Sequence, residues 1–274
     1  MATAIVPAHN ESSVIRRCLD SLISQEGLDT IIVACNGCSD DTVDIVRREY
    51  PTVVCLDIAK PSKVNALNEA EKHITSWPVF YIDADIAISE GAVNQICEGM
   101  KEQKLLLAAP EPQIDTSQSP WLVRRFYDAW LRLPYIREGV IATCTFVISE
   151  EGRKRFGEFP DVIADDGYVR SHFYDHELGN VPGATVYVAA PRTVQSLIKI
   201  KTRARLGNIE LKARKLGYDK PAPDYGSILP SLLFSRHWLS AVVYIGFVTV
   251  FRLRARKQFQ NLDNYEWEVD HSSR

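Results

Sequence analysis

Ala4-Ile5-Val6-Pro7, then Ser12-Ser13-Val14-Ile15-Arg16-Arg17-Cys18-Leu19-Asp20-Ser21-Leu22-Ile23-Ser24, then Thr30-Ile31-Ile32-Val33-Ala34 is the stretch that decides the fold. Two short apolar runs flank a segment in which Val14, Ile15, Leu19, Leu22 and Ile23 recur at spacings of three and four, the repeat of a helix with one buried face. Asn10 stands where an N-cap belongs. The unit reads strand, helix, strand, and it recurs: Asp40–Glu49 follows, then Val53–Leu56 with Lys63–His73, and Val79–Ile82 with Glu90–Lys101. This alternation is the signature of βα units around a parallel sheet, so the expected fold is α/β and Rossmann-like, with helices on both faces.

Beyond residue 104 the pattern becomes mixed. A Pro, Gln and Ser stretch runs from Pro110 to Pro120, an aromatic segment covers Trp121–Tyr135, and strands are expected at Ile141–Ile148 and Thr185–Ala189. A long basic helical run, Gln195–Lys215, comes next, and no internal repeat is visible. With 274 residues, 46% of them hydrophobic and 24% charged, the composition is that of a globular protein and excludes a collagen, a disordered tail protein or a multispanning membrane protein. Six Cys in this length do not read as a disulfide framework, and the first residues lack the basic and apolar regions of an export signal, so a cytoplasmic protein with reduced thiols is expected.

The net charge of −3 hides an asymmetry. Residues 1–198 carry 18 Lys and Arg against 28 Asp and Glu, a net of −10, whereas residues 199–274 carry 14 against 7, a net of +7. Two parts are therefore expected, a catalytic domain at 1–198 and a basic helical extension at 199–274.

In an open parallel sheet, ligands bind beyond the carboxyl ends of the strands. Four such ends are polar here: Pro7-Ala8-His9-Asn10-Glu11, Cys35-Asn36-Gly37-Cys38-Ser39-Asp40-Asp41-Thr42, the segment with Lys60, Ser62 and Lys63, and Asp83-Ala84-Asp85. The absence of both Gly-x-Gly-x-x-Gly and Gly-x-x-x-x-Gly-Lys-Ser/Thr argues against a dinucleotide oxidoreductase and a P-loop NTPase. Asp83 and Asp85, two residues apart where an apolar strand stops, can converge on one hard divalent cation that bridges phosphate oxygens. Asp is also common in turns after strands for local hydrogen-bonding reasons, so this pair gains weight from the three other polar ends.

Taken in order and spacing, Ile5-Val6-Pro7-Ala8-His9-Asn10-Glu11, Asn36 to Thr42, Lys63-Val64-Asn65-Ala66-Leu67-Asn68 and Asp83-Ala84-Asp85 resemble the family 2 glycosyltransferases with the GT-A fold, over about residues 4–190. The resemblance implies inverting transfer of a sugar from a nucleotide diphosphate donor, with Mg or Mn held by the Asp-x-Asp segment. It further implies that Pro7, Glu11 and Asp40 line the nucleoside pocket, that Lys63 approaches the donor phosphates, that Asp83 meets the ribose or sugar and shares the metal, and that Asp85 is the metal ligand. Gly139 to Phe146 resembles the family's acceptor-side strand and loop. Asp165-Asp166, in Phe159 to Tyr168, matches the place of the family's acidic pair before a helix. Adjacent helical residues point about 100° apart, so one carboxylate faces the substrate. Asp166 is assigned as the base that takes the acceptor hydroxyl proton, and Asp165 as an orienting or acceptor-binding group. A double-Asp helix cap is the plain alternative.

The chain departs from the family where many members carry Asp-Asp-Gly-Ser after the second strand. Cys35-Asn36-Gly37-Cys38 stands there, leaving Asn36 in the donor-binding set and UDP only as the default nucleotide. The Gln-x-x-Arg-Trp of processive members has as its nearest match Thr202-Arg203-Ala204-Arg205-Leu206, which favours single-sugar transfer. Arg203 and Arg205 are candidates to clamp a diphosphate oxygen, with a solvated helix face as the alternative. Cys35 and Cys38 lack a second pair at metal spacing and read as a turn, and His9, His172 and His176 are the candidates for a third metal ligand.

Residues 238–251 carry no charge, and Arg252, Arg254, Arg256 and Lys257 follow. Fourteen residues fall short of the roughly 20 needed to span a bilayer. A segment partly embedded in the anionic inner face of a membrane is expected, with a core helix as the alternative; a lipid-linked saccharide is then one acceptor among other hydroxyls. No nucleic-acid-binding motif is present. The competing functions are a sugar-phosphate nucleotidyltransferase, whose Gly-rich phosphate loop is missing at residues 8–13, and a module that binds a nucleotide sugar or a membrane without chemistry.

Overall fold

The parallel half of the sheet is centred on two strands buried along their whole length, Ala2–Ala8 and Val79–Ile82, with Val54–Ile58 at its half-exposed edge. The computed structural model describes residues 1–133, 145–216 and 228–262, together with residues 265, 268 and 272. Strands β1 (Ala2–Ala8), β2 (Leu28–Asn36), β3 (Val54–Ile58) and β4 (Val79–Ile82) alternate with helices α1 (Ile15–Ile23), α2 (Thr42–Glu49) and α3 (Lys63–Glu71). β1 pairs in parallel with β2 and β4, and β2 pairs in parallel with β3. Successive residues of each strand feed opposite layers. Val6, Val33 and Ile82 pack with Ile15, Leu19 and Ile45 on one face, while Ile5, Ile32 and Tyr81 pack with Val64 and Leu67 on the other.

The second half adds β5 (Ala87–Ile88), α4 (Ala92–Gln103), β6 (Leu107–Asp115), α5 (Trp121–Trp130), β7 (Thr145–Ile148), α6 (Glu150–Arg153), α7 (Asp165–Arg170) and β8 (Leu178–Ala189). Among the described residues the sheet has eight strands in the order β3-β2-β1-β4-β7-β6-β8-β5. β7 runs antiparallel to both β4 and β6, β8 runs parallel to β6, and β5 closes the edge antiparallel to β8. The mixed sheet with helices on both faces and further helices at the C-terminus is the expected α/β architecture of the GT-A type.

Several local expectations change. Asn10 does not cap α1: it adopts a left-handed φ of 55°, and the cap position falls on Val14 without a side-chain bond. Its Oδ1 instead accepts from the amides of Ser39 (2.8 Å) and Asp40 (3.3 Å), so the side chain ties the first strand end to the second. Pro110 and Pro112, in the Pro, Gln and Ser stretch, lie inside β6. β7 pairs with β6 only at Leu107 and Ala108, which leaves that edge open where the prolines lack a donor. The strand expected at 141–148 is seen at Thr145–Ile148, and residues 139–144 lie outside the described residues.

The C-terminal region continues in α8 (Val194–Ala213), α9 (Ile228–Leu233) and α10 (Trp238–Phe259). The boundary expected at residue 198 falls inside α8. Leu197, Ala241, Tyr244 and Phe251 share a buried cluster with Val123, Phe126 and Trp130 of α5, so the basic extension is packed into the body.

Candidate active site

All four polar strand ends open on one edge of the sheet, as the parallel register requires. At the first two, Asp40 is the staple. Its Oδ2 accepts from the amide of Ser12 at 3.0 Å, and its Oδ1 accepts from the amide and hydroxyl of Thr42 at 3.0 and 2.5 Å. Burial alone would raise this carboxyl, but the bonds from Thr42 and Ser12 outweigh it and hold the pKa below the usual value. Thr42 Oγ1 in turn accepts from the amide of Glu11 at 2.8 Å. Pro7, Glu11 and Asn36 are buried, and Asn36 Nδ2 donates to the carbonyl of Ala8 at 2.9 Å. These contacts fix the walls of the expected nucleoside pocket through the backbone.

The Cys35 to Cys38 segment is a turn. Gly37 sits at φ 58°, donates to the carbonyl of Ile58 at 2.7 Å, and has Pro61 so close that a Cβ would stand 2.6 Å from that ring's own Cβ. Cys35 and Cys38 are both free thiols.

The third and fourth strand ends meet at Lys63, the first residue of α3, whose start is fixed by Ser62 Oγ accepting from the amide of Asn65. Its Nζ stands 2.9 Å from Asp83 Oδ1 and 3.1 Å from Asp165 Oδ2. Burial works against the ammonium, but the charges of Asp165 and Asp83 outweigh it and keep its pKa above the ordinary lysine value. Asp165 is 7% exposed at its side chain, and Asp166 beside it accepts from the amide of Gly167 at 2.7 Å. Burial, and after it the charge of Asp165, push the Asp166 carboxyl up to about 6 against the pull of Lys63. One cation therefore joins the Asp-x-Asp strand end to the acidic pair on α7, and one member of that pair is poised to exchange a proton near neutrality.

Asp85, half-buried in the turn after β4, lies in the same strand-end layer, with Arg17 donating to its backbone carbonyl. Among the described residues no group of three or more His, Cys, Asp or Glu is arranged to hold a metal. That donor set does not fit a structural zinc. Two carboxylates, Asp83 and Asp85, suit Mg or Mn, hard cations that take one or two carboxylates and complete their shell with phosphate oxygens and water; Asp83 directs one oxygen to Lys63.

Other expected residues lie apart from this cluster. Arg203 donates to the carbonyl of Glu268 at 2.8 Å, and Arg205 is exposed on α8. His9 Nδ1 donates to the carbonyl of Asn36 at 2.6 Å, His172 packs edge-on to Tyr168, and His176 stacks on Tyr174. None joins Asp85.

Two supporting residues were missed in the sequence. Gly207 of α8 lets that helix lie against the chain leading into α7: a Cβ there would stand 2.7 Å from Ala164 Cβ and 2.9 Å from its nitrogen. Glu210, one turn on, accepts from the amide of Ile163 at 2.9 Å and pairs with Arg214. The spacing Gly207 to Glu210 in a basic helix carries no signal by itself; only the packing reveals that α8 seats the acidic pair.

Comparison with known proteins gives the family and the fold. The family described as "Glycosyl transferase family 2" matches residues 3–149. The poly-beta-1,6-N-acetyl-D-glucosamine synthase of Staphylococcus epidermidis is 26% identical over 227 residues, covering 77% of this chain and 55% of the relative; the chain thus spans about half of that relative's length. Among solved structures, S. aureus TarS 1-349 in complex with UDP aligns at TM-score 0.54 and 12% identity over 99% of this chain and 94% of that one. Glucosyl-3-phosphoglycerate synthase from Mycobacterium tuberculosis, in complex with Mn2+, uridine-diphosphate and glucosyl-3-phosphoglycerate, aligns at 0.55 and 18% over 80% and 81%. At these identities the structures speak to the fold.

Proposed function

Because the chain belongs to glycosyl transferase family 2, we propose that it transfers a single sugar, with inversion, from a nucleotide diphosphate sugar to an acceptor hydroxyl. The observation that carries this reading is Lys63, which links Asp83 at the donor-side strand end to Asp165 of the acidic pair. Asp166 takes the proton of the acceptor hydroxyl as its oxygen bonds to the anomeric carbon, and the bond from that carbon to the diphosphate oxygen breaks on the opposite side. Lys63 faces the leaving diphosphate and holds Asp165 in place. Asp165, nearly sealed from water, keeps α7 oriented. Pro7, Glu11, Asn36 and Asp40 frame the nucleoside. Asp85 with Asp83 would hold Mg or Mn, which when bound would supply positive charge for the diphosphate. UDP is the nucleotide favoured by the TarS and glucosyl-3-phosphoglycerate synthase complexes with UDP.

The acceptor side is proposed to meet a membrane. α10 buries Ala241, Tyr244, Phe251 and Ala255, and on its opposite face exposes Trp238, Val242, Ile245 and Leu253 beside Arg256 and Lys257. Among the described residues it is the one helix long and apolar enough to cross a bilayer, which is weak evidence for crossing. One face locked in the core and the other apolar and basic support a helix lying on an anionic cytoplasmic leaflet, with a lipid-linked saccharide as acceptor.

Incubation with a panel of nucleotide sugars and Mg or Mn tests the reading. Release of a nucleoside diphosphate is expected. Pyrophosphate would indicate a nucleotidyltransferase, and calorimetric binding without turnover would indicate a module without chemistry. Asp85→Ala is expected to remove the metal-dependent part of UDP binding, read by calorimetry.

A further inference from the structure

Arg170 ends α7 one helical turn beyond Asp166. Its side chain is half-buried, and its Nε is sealed from solvent with no hydrogen-bond partner. The surrounding arginines are different. Arg153 is paired with Glu71 at 2.5 Å, Arg155 with Glu177 at 2.6 Å and Arg214 with Glu210 at 2.9 Å. Among the described residues no carboxylate pairs with Arg170. An Asp and an Arg four apart on a helix ordinarily meet, yet Asp166 turns its Oδ1 to the amide of Gly167.

A guanidinium keeps its charge at any physiological pH, and with Nε alone sealed from water the outer nitrogens are the edge that an anion can meet. Burial does push the Arg170 pKa down, against Asp175 and Asp166. Favourable placement in the last turn of the helix explains a positive charge there, but not an Nε withdrawn from water. The planar fork of a guanidinium matches two oxygens of a phosphate or carboxylate. α7 carries Asp165 and Asp166 at its N-terminal end, with Asp165 toward Lys63, and Arg170 at its other end. Arg170 therefore stands at the end of α7 away from the residue that meets Lys63.

Resting on the glycosyltransferase reading, we propose that Arg170 binds an oxyanion carried by the acceptor, a phosphate or a carboxylate, and so brings the acceptor's hydroxyl to Asp166. The acceptor is then an anionic hydroxyl compound, a class that includes a lipid-linked saccharide bearing a phosphate or carboxylate.

The test follows the Nε–Hε resonance of Arg170 in the full chain, saturated with UDP and magnesium so that the diphosphate position is filled. Glycerol 1-phosphate, glycerate and glycerol are titrated in turn. The resonance is expected to shift with one or both anions and not with glycerol, and the tighter anion identifies phosphate or carboxylate. Arg170→Gln should weaken that binding at least about tenfold, with partial retention in Arg170→Lys. Absence of a shift with either anion overturns the proposal, as does equal binding by Arg170→Gln. A shift seen only without UDP and abolished by it also overturns it, because the site is then the diphosphate's. UDP binding, read separately in the same sample, tests the glycosyltransferase reading independently.

Discussion

Lys63 Nζ lies 3.1 Å from Asp165 Oδ2, an ion pair that joins the first turn of α3 to the first turn of α7. Asp165 is almost fully enclosed, and Lys63 is the cation that faces it. Lys63→Met is expected to destabilise the fold by about 3 kcal/mol, because a buried carboxylate loses its cation. The double variant with Asp165→Asn should recover part of that loss, a coupling of about 1–3 kcal/mol in a denaturant double-mutant cycle. Additive losses would mean that the two charges do not hold each other.

Asp166 gives a pH dependence with a definite sign. Its carboxyl is pushed up to about 6 in the folded chain, so the folded state favours the protonated form. The stabilisation from that proton is present below the unfolded value and is lost as pH rises through about 6. Asp166→Asn should therefore raise stability by roughly 1–3 kcal/mol at pH 8 and have little effect near pH 3, measured by urea unfolding at both pH values. In the wild type, kcat/KM should fall as pH drops below about 6, since the base must be ionised. An Asn variant that transfers sugar at the wild-type rate would displace Asp166 from its role.

The two helical glycines Gly207 and Gly246 should respond oppositely to Ala. A Cβ at Gly207 collides with Ala164, and one at Gly246 meets nothing within 4 Å. Gly246→Ala should gain about 0.5–1 kcal/mol from helix propensity. Gly207→Ala should lose about 1–3 kcal/mol and lower kcat more than it raises the donor KM, because the shift falls on the residue before Asp165. Thermal melts and steady-state kinetics on the two variants read the contrast.

The parts of this architecture visible in the sequence are those whose cause is local. Periodicity around Val14, Leu19 and Leu22 marks α1, and Asp83-Ala84-Asp85 is marked by an apolar strand that stops at two carboxylates. Asn10 misled because a polar residue before a helix reads as a cap, whereas its left-handed backbone turns the side chain toward Ser39. β8 was expected only at Thr185–Ala189 and begins at Leu178, since Pro182 and Gly183 mask a strand whose register shifts there. Gly207 and Glu210 act through contacts distant in sequence, the Nε of Arg170 is set apart only by its burial without a hydrogen bond, and neither leaves a periodic trace.

The exposed face of α10 separates anchoring from packing. Truncation would remove Tyr244 and Phe251 from the core, so surface changes are the cleaner probe. Trp238→Ser, Val242→Ser and Ile245→Ser together should leave the circular dichroism unchanged and abolish flotation with phosphatidylglycerol vesicles. In the wild type, flotation should weaken at high salt, since each exposed Arg or Lys contributes about 1 kcal/mol at an anionic leaflet. Flotation that survives the triple change would assign the helix to packing alone.

The central claim, single displacement at the anomeric carbon with Asp166 as base, is tested most directly by the anomer first released when water takes the acceptor's place. With an α-linked UDP-sugar that the enzyme turns over in the presence of magnesium, early proton NMR spectra are expected to show the free β-anomer appearing before mutarotation, and none in Asp166→Asn. Initial appearance of the α-anomer would contradict the account.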